Sequence, residues 1–371
     1  MAYLLVFFIG IQSFYISDAN AAVENPWDGS TMSVPATDSD GVFLITTSGE
    51  LAWFANQVNA GNSSINGRLE NTIWLNDHDT KYEWIMIGDS EEHPYRGTFE
   101  GNGQRVNFLY TVIDDENPEL RYGGLFGVID GGTVSNLSVS GTMVHGYGNY
   151  GKNGELDELY SGTGGIAGYL KSGRIANCVN YTETVMDGET MYRNAGGIVG
   201  INSGSVIRCI NNGKLSTDVV FAQRHVGGIA GMVYGPSAQV RYCENRGKVQ
   251  GYYEVGGVAG AVKCGGEILA SCNYAEVVGN SILGGIAGNV TKTGTYSNGS
   301  LKECVIRNVY NLGSISGITA DVGSTVGGFI GQMGYESGND EATPSLPILE
   351  NAYATVQYVN ETYTTRGAVI G

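Results

Sequence analysis

The chain has 371 residues, of which 58 are glycine and only 7 are proline, and hydrophobic residues make up 42% of it. This composition excludes collagen, which needs abundant proline, and disordered linkers, which lack enough apolar residues for a core. The formal net charge of −17 excludes a nucleic-acid surface, because such a surface neutralises phosphates with lysine and arginine. We therefore expect an acidic extracellular protein with no nucleic-acid partner and no membrane insertion of the mature chain.

Residues 1–21 are predicted to be a signal peptide. An uncharged run that contains LLVFFIGI precedes Ala19, Asn20 and Ala21, which together form an A-x-A cleavage pattern. The run is too short to span a membrane. We expect cleavage after Ala21 or Ala22, secretion of the mature chain, and a linker over residues 22–42.

Residues 43–110 are predicted to form an N-terminal cap and the first coils of a repeat structure. Thr47 and Glu50 match a capping box ahead of an amphipathic segment, and Gly61 follows as a helix stop. The helix would place Leu51 and Phe54 on one apolar face. That face would cover the first coil, whose strand edge would otherwise be open to aggregation.

Residues 111–371 contain a repeated Gly-Gly-apolar-x-Gly motif at intervals of 28 to 43 residues. Each repeat holds three short segments of alternating apolar and polar residues, separated by glycine and asparagine, which predicts three strands. This pattern is typical of a parallel β-helix. The motif copies begin at Gly123, Gly164, Gly196, Gly227, Gly256, Gly284 and Gly327, with a degenerate copy at Gly367.

We therefore predict an all-β fold, a right-handed parallel β-helix (a solenoid) of about eight or more three-strand coils with an N-terminal helical cap. The chain stops inside a repeat at Gly371, whereas natural solenoids carry a terminal cap. We expect the repeats to be truncated at the C-terminus, with further anchoring or catalytic domains beyond residue 371.

Cysteine recurs at one place in successive repeats, and that place holds Leu137, Val309 or Ala352 elsewhere. A position shared by these residue types predicts an inward ladder of buried thiols. Two disulfides are the alternative for a secreted chain with six cysteines. Cys264 and Cys304 are expected outside the ladder, on or near loops. No C-x-x-C or paired histidine occurs, so we expect no metal and no cofactor. The predicted ladder consists of Cys178, Cys209, Cys243 and Cys272.

The order of motifs over residues 43–371 resembles that of the GLUG-repeat proteins. The segments that carry the resemblance are 50–59, 84–88, 97–103 and 123–127. These proteins are β-solenoid regions of bacterial surface and secreted proteins, including the N-terminal region of IgA1-protease-type proteins. The resemblance implies an extracellular, often multidomain protein in which this region is a stalk, an adhesin-like module or a binding module. Protease activity in such relatives lies in a separate zinc domain bearing H-E-x-x-H, which this sequence lacks, so no catalytic residues carry over.

Tyrosines precede several Gly-Gly motifs by four residues, and polar residues precede them by two. The residue directly before Gly-Gly is usually apolar and is expected to point inward, so alternation predicts that these positions point outward. We predict a stripe that stacks on the sugar rings of an extended glycan. The alternative is that tyrosine simply packs well on exposed β surfaces. The stripe consists of Tyr160, Tyr192 and Tyr252 with Asn194, His225 and Glu254.

Two classes of function follow. The first is a non-catalytic extracellular module of a bacterial cell-surface or secreted protein, adhesin-like or a stalk, whose partner is an extracellular glycan or a host or cell-surface protein. The alternative is a secreted polysaccharide lyase or glycoside hydrolase, because right-handed β-helices often host such enzymes. A carboxylate pair would then come from Asp157, Glu158, Asp187 and Glu189. The acidic residues are spread along the chain rather than concentrated on one face, which favours the first class.

Overall fold

The structure is a computed structural model that describes residues 26–114, 120–145, 159–186, 194–217, 225–291, 302–317, 325–334, 347–355 and 365–367. The predicted signal peptide and Tyr192 lie outside the described residues, as do Asp157, Glu158, Asp187 and Glu189.

The predicted N-terminal helix is present as Ser48–Asn59. Thr47 is its N-cap, and its hydroxyl accepts from the Glu50 amide at 3.3 Å. The Glu50 carboxylate in turn accepts from the Thr47 amide at 3.1 Å, which completes the capping box. The apolar face of the helix is buried, and Phe54 packs edge-on against Phe99 of a following strand at 5.7 Å between ring centroids. The cap therefore joins the core of the first coils.

Part of the predicted linker packs on this cap. Trp27 is 7% exposed and contacts Trp84, with ring centroids 5.8 Å apart. Strand Ala36–Thr37 pairs antiparallel with Phe43–Ile45. Residues 26–42 are thus part of the cap rather than a linker.

All other strand pairs are parallel, and the strands form two sheets, one of 27 strands and one of eight in the described part of the chain. The large sheet begins with Ala36–Thr37, Phe43–Ile45, Gly67–Leu69, Ile73–Trp74, Thr98–Glu100, Arg105–Ile113, Phe126–Ser135 and Ser138–His145. It continues with Ala167–Ala176, Val179–Met186, Val199–Asn202, Ser205–Ile207, Ile210–Asn211, Leu215–Thr217, Ala230–Tyr234, Gln239–Arg241, Glu244–Asn245 and Val249–Gln250. It ends with Ala259–Lys263, Glu267–Leu269, Cys272–Asn273, Val277–Gly279, Ala287–Thr291, Val305–Asn311, Ile315–Gly317, Ile330–Gly334 and Ile348–Ala354.

The eight-stranded sheet, here called the outer sheet, takes one strand from each repeat. Seven of its strands end on the first glycine of a Gly-Gly motif, and the eighth ends on Gly367 of the degenerate copy. Each of these strands pairs in parallel with those of the neighbouring repeats, as expected for stacked coils of a solenoid. The strands are Tyr122–Gly123, Gly162–Gly164, Asn194–Gly196, His225–Gly227, Glu254–Gly256, Ile282–Gly284, Thr325–Gly327 and Thr365–Gly367.

A coil contains more strands than the three that the sequence predicts. Residues 194–217 hold five short strands, one in the outer sheet and four in the large sheet. Arg208 interrupts the coil with a left-handed backbone at φ 54°, and a turn at Gly213 interrupts it again. Because the chain bends at these points, the longer alternating segments predicted from the sequence are divided into shorter strands.

Stacked asparagine side chains explain the second glycine of the Gly-Gly motif. Asn245 donates to the Asn273 amide oxygen at 2.8 Å and accepts from Asn211 at 2.9 Å, and all three side chains are fully buried. A Cβ atom on Gly228 would lie 2.2 Å from Cγ of Asn245. The same conflict recurs in the next coil between Gly257 and Asn273. Glycine is therefore required because the asparagine ladder runs directly beneath the motif. The hydrogen-bonded ladder consists of Asn180, Asn211, Asn245, Asn273 and Asn311.

The structure places Cys178, Cys209 and Cys243 at equivalent positions of successive coils, whereas the fourth cysteine of the predicted ladder, Cys272, is displaced. Glu244 pairs with Cys272, so Cys272 lies one position away from the ladder, and Ser271 follows Cys243 instead. The Cys243 amide donates to the Ser271 hydroxyl at 3.1 Å. All six cysteines are buried and none forms a disulfide. The ladder consists of Leu137, Cys178, Cys209, Cys243, Ser271, Val309 and Ala352.

Candidate functional site

The predicted tyrosine stripe is not an exposed surface in the described residues. Tyr252 is only 8% exposed, and its ring lies against that of Tyr253 at 6.1 Å between centroids. Tyr160 is half-buried, and the Arg121 guanidinium covers its ring at 4.7 Å from the centroid. The expectation that these rings stack in a solvent-facing row is therefore wrong for Tyr252.

The three polar residues of the stripe do come together, but inside the protein. Asn194 pairs with His225 in the outer sheet, and His225 pairs with Glu254. Asn194 and His225 are fully buried, and Glu254 is 4% exposed. The predicted outward orientation is thus wrong, although the strand register does align the three residues across three coils.

The reason lies in a second packing layer. In five repeats the residue directly before Gly-Gly points into a buried apolar cluster, as expected, and Val226 and Val255 are both fully buried there. The opposite face of the outer sheet is also covered, because Glu254 meets Asn289 of a large-sheet strand in the following coil, at 3.0 Å. Alternation along a strand predicts one solvated face only where nothing covers that face.

These residues form a chain of polar contacts that runs from coil to coil. Asn194 donates from Nδ2 to the Ser161 carbonyl at 2.9 Å, which turns its Oδ1 toward Nδ1 of His225 at 2.8 Å. Nε2 of His225 lies 2.8 Å from Oε2 of Glu254. Nδ1 of His225 is therefore within hydrogen-bonding distance of an amide oxygen, and Nε2 lies close to a carboxylate oxygen.

Glu254 is held as a carboxylate by its surroundings. Burial by itself raises the pKa of Glu254, but the adjacent His225, the charge of Lys263 and the bond from Asn289 outweigh it, and the net effect lowers that pKa to about 2. Lys263 is itself fully buried. The site is thus an internal polar contact between coils, closed to solvent, and its chemistry is that of a structural ion pair.

A different set of tyrosines is exposed. Tyr310 pairs in register with Tyr353, and Tyr274 from the preceding coil shares a hydrogen bond with Tyr310, with the two hydroxyl oxygens 2.6 Å apart. Tyr274 is 42% exposed and Tyr353 is 63% exposed. Leu312 extends the same surface and is 44% exposed. We call Tyr274, Tyr310 and Tyr353 the tyrosine face.

The tyrosine face could have been found in the sequence from a different reference point. Tyr310 stands immediately before Asn311, and Tyr274 stands immediately after Asn273. Counting from these ladder asparagines, rather than from the Gly-Gly motif, places the tyrosines on neighbouring outward positions. The Gly-Gly motif is a poor reference because its own strand is buried on both faces.

The tyrosine rings differ in how strongly their neighbours affect them. Partial burial raises the pKa of Tyr274, and burial together with the Cys272 thiol and the Tyr274 hydroxyl raises the pKa of Tyr310. Both rings therefore stay neutral at physiological pH and present a hydroxyl and an aromatic surface to solvent. The rings of Tyr274 and Tyr310 meet at 77°, with centroids 5.7 Å apart.

Among the described residues, no group of three or more histidine, cysteine, aspartate or glutamate side chains could hold a metal ion. The same part of the chain contains no helix that is both long and apolar enough to cross a membrane.

No family model matches the sequence, and no curated protein matches it. The structure is similar to a crystal structure from Bacteroides ovatus whose protein is named as a candidate immunoglobulin A1 protease, with a TM-score of 0.53 and 18% sequence identity. The match covers 92% of this chain and 87% of that chain. At this identity the likeness shows a shared fold, a nearly all-β architecture of parallel strands.

Proposed function

We propose that this chain is a non-catalytic, extracellular module of a bacterial cell-surface or secreted protein, adhesin-like in that its tyrosine face binds a glycan. The exposed tyrosine face is the observation that carries the proposal. We further propose that its scaffold is a right-handed parallel β-helix of about eight or more coils, exported by a signal peptide over residues 1–21.

Aromatic rings on a rigid sheet suit sugar binding, because the C–H faces of a sugar ring pack on an aromatic surface while tyrosine hydroxyls can hydrogen-bond to sugar hydroxyls. Successive coils lie about 4.8 Å apart, so Tyr310 and Tyr353 present their side chains one coil after the other along the axis. Both residues lie on strands rather than on loops, which keeps the surface ordered before binding.

The interior of the molecule supports a stalk-like role for the rest of the module. The asparagine ladder and the contact between His225 and Glu254 bind each coil to the next through buried polar groups. Such contacts specify one stacking register, because a slip would leave buried polar atoms without partners. A solenoid of this kind can hold a binding surface at a fixed place on an extracellular protein.

The relative from Bacteroides ovatus is named as a candidate protease of immunoglobulin A1. We propose that any such activity belongs to a part of a longer protein outside these coils. A host or cell-surface glycoprotein is a suitable partner for an adhesin-like module, because its glycans would be the groups that meet the tyrosine face.

The test is a glycan array with the full chain, the double variant Tyr274→Ala/Tyr353→Ala, and Tyr160→Ala as the matched control. We expect the wild type to bind a defined glycan class, the double variant to lose about tenfold or more in affinity, equivalent to about 1.4 kcal/mol, and the control to bind normally. A folded wild type that binds no glycan would overturn the glycan part of the proposal.

The same samples test the alternative enzymatic function. Polysaccharides incubated with the protein should keep their length, as measured by chromatography and by reducing-end analysis. Release of shortened or unsaturated oligosaccharides would show a lyase or hydrolase and contradict the non-catalytic proposal.

A further inference from the structure

One corner of the solenoid places a left-handed residue in each coil. Asparagine is the usual choice there, because among residues with a side chain it tolerates this backbone best. Two neighbouring coils place Arg208 and Tyr242 at the corner instead, with φ angles of 54° and 57°. Large side chains in this strained conformation point to a role beyond the turn itself. The corner positions are Asn136, Asn177, Arg208, Tyr242, Ala270, Asn308 and Asn351.

Two guanidinium groups meet the ring of Tyr242. The Cζ atom of Arg208 lies 5.6 Å from the ring centroid, and that of Arg241 lies 5.7 Å from it. The backbone brings them together, because the Arg208 amide donates to the Arg241 carbonyl at 2.9 Å. Tyr242 is 45% exposed, so the group is open to solvent. We call Arg208, Arg241 and Tyr242 the arginine corner.

Neither arginine of the corner forms an ion pair within the described residues, and the Nε atom of Arg241, which is buried, has no hydrogen-bond partner there. Cations on nearby coils do have carboxylate partners. Arg246 contacts Glu244 at 2.6 Å, and Arg307 contacts Glu350 at 2.7 Å. In a chain with a net charge of −17, the arginine corner is therefore a local concentration of positive charge that has no counter-ion among the described residues.

We infer that the arginine corner binds the carboxylate of an acidic sugar at the end of an otherwise neutral glycan. This inference rests on the proposed function and identifies the class of glycan. The planar guanidinium fork matches a carboxylate through two parallel hydrogen bonds. The overall negative charge repels a polyanionic chain, so a single acidic group is the better fit.

The position of the corner agrees with this assignment. Tyr242 stands two residues before Glu244, which pairs with Cys272, and Cys272 pairs with Tyr310 of the tyrosine face. An acidic sugar at the corner and neutral sugars on the tyrosine face would thus occupy adjoining surfaces of successive coils. The corner supplies the charge preference, and the face supplies the stacking surface.

The experiment compares a sialylated trisaccharide with the same trisaccharide after reduction of its carboxylate to an alcohol, using calorimetry on the full chain. The double variant Arg208→Gln/Arg241→Gln removes the two cations of the corner. Its matched control is Lys214→Gln/Lys248→Gln, which removes the same charge from two exposed lysines that contact Glu183 and Glu276. Circular dichroism establishes that each variant is folded.

We expect the acidic trisaccharide to bind the wild type at least tenfold more tightly than the reduced one. The arginine variant should lose this preference, and the lysine control should keep it. Equal affinity for the two sugars, an equal loss in the lysine control, or tighter binding of polygalacturonate would overturn the inference.

The same measurements distinguish failure of the acidic-sugar inference from failure of the proposed function. If the reduced sugar binds and Tyr274→Ala weakens it while no acidic preference exists, glycan binding stands and only the acidic-sugar inference fails. If neither sugar binds and the array is also negative, the glycan-binding proposal itself fails.

Discussion

His225 and Glu254 come from neighbouring coils and meet inside the protein, with Nε2 of the imidazole 2.8 Å from Oε2 of the carboxylate. Both side chains are at least 95% buried. Asn194 and Asn289 bind the two outer ends of this pair, so the contact extends over several coils. An ion pair of this kind contributes mainly through the cost of breaking it, because removal of one partner leaves a buried polar or charged group without its nearest compensating neighbour.

The first prediction concerns a variant that removes the charge of Glu254 but keeps the shape of its side chain. Glu254→Gln should lower the free energy of unfolding by about 3 kcal/mol, because His225 and Lys263 would remain buried without this anion. Urea denaturation followed by circular dichroism measures the loss. Glu350→Gln is the matched control, since its partner Arg307 is exposed, and we expect less than about 1 kcal/mol there. Equal effects in the two variants would show that burial does not strengthen the contact.

The second prediction concerns pH. The folded pKa of Glu254 is about 2, whereas an unfolded glutamate titrates near about 4.3. The stabilisation from its carboxylate is therefore complete above the unfolded pKa and disappears as the pH falls through the folded pKa. The difference in unfolding free energy between the wild type and Glu254→Gln should shrink steadily as the pH falls from about 5 toward 2. A difference that stayed constant over this range would contradict the assignment of Glu254 as the titrating group.

The third prediction tests the role of the Gly-Gly motif. In Gly228→Ala the new Cβ atom would stand 2.2 Å from Cγ of Asn245 and 2.3 Å from the Gly257 carbonyl oxygen, so the coil must move. We expect a loss of about 2 kcal/mol or more, typical of overpacking in a tight interior. Gly334→Ala should be nearly neutral, because among the described residues no atom beyond its chain neighbours lies within 4 Å of the place that its new methyl group would take. The thermal midpoints of the two variants measure the contrast, and equal midpoints would refute the steric explanation.

The fourth prediction concerns the thiols. Burial raises the pKa of Cys272 to about 11 and the pKa of Cys304 to about 11, and the ladder thiols are fully enclosed. Reaction needs an exposed thiolate, so a thiol reagent should modify none of the six cysteines in the folded protein and all six after unfolding in guanidinium. Rapid labelling under native conditions, measured by intact mass spectrometry, would place at least one thiol at the surface.

Most of the architecture can be predicted from the repeat pattern, because the pattern reflects contacts that recur in every coil. The spacing of the Gly-Gly motifs predicts stacked parallel strands, since identical positions must meet identical neighbours in the next coil. The capping box of Thr47 and Glu50 predicts the helix, because a cap depends on residues only three positions apart. Inward positions such as Val226 and Val255 follow from alternation alone.

The predictions from the sequence are wrong where the register of a single residue, or an additional packed layer, decides where a side chain lies. A spacing of 29 residues from Cys243 predicts Cys272 in the thiol ladder, but the strands pair at 28, which places Ser271 there. Alternation predicts that His225 and Glu254 face solvent, because it cannot tell which strands will be covered. The tyrosine face was not predicted for the same reason, because alternation does not show that its strands are left uncovered.

The sequence by itself determined that the chain is a solenoid of parallel strands with a helical cap, because periodic spacing and local capping are properties of neighbouring residues. Only the tertiary structure decided which polar residues face solvent. The outer sheet lies between two packed layers, so it buries Asn194, His225 and Glu254 as an internal contact. The large sheet is uncovered near Tyr274, Tyr310 and Tyr353, and that difference in coverage, which depends on residues far apart in the chain, places the candidate binding surface.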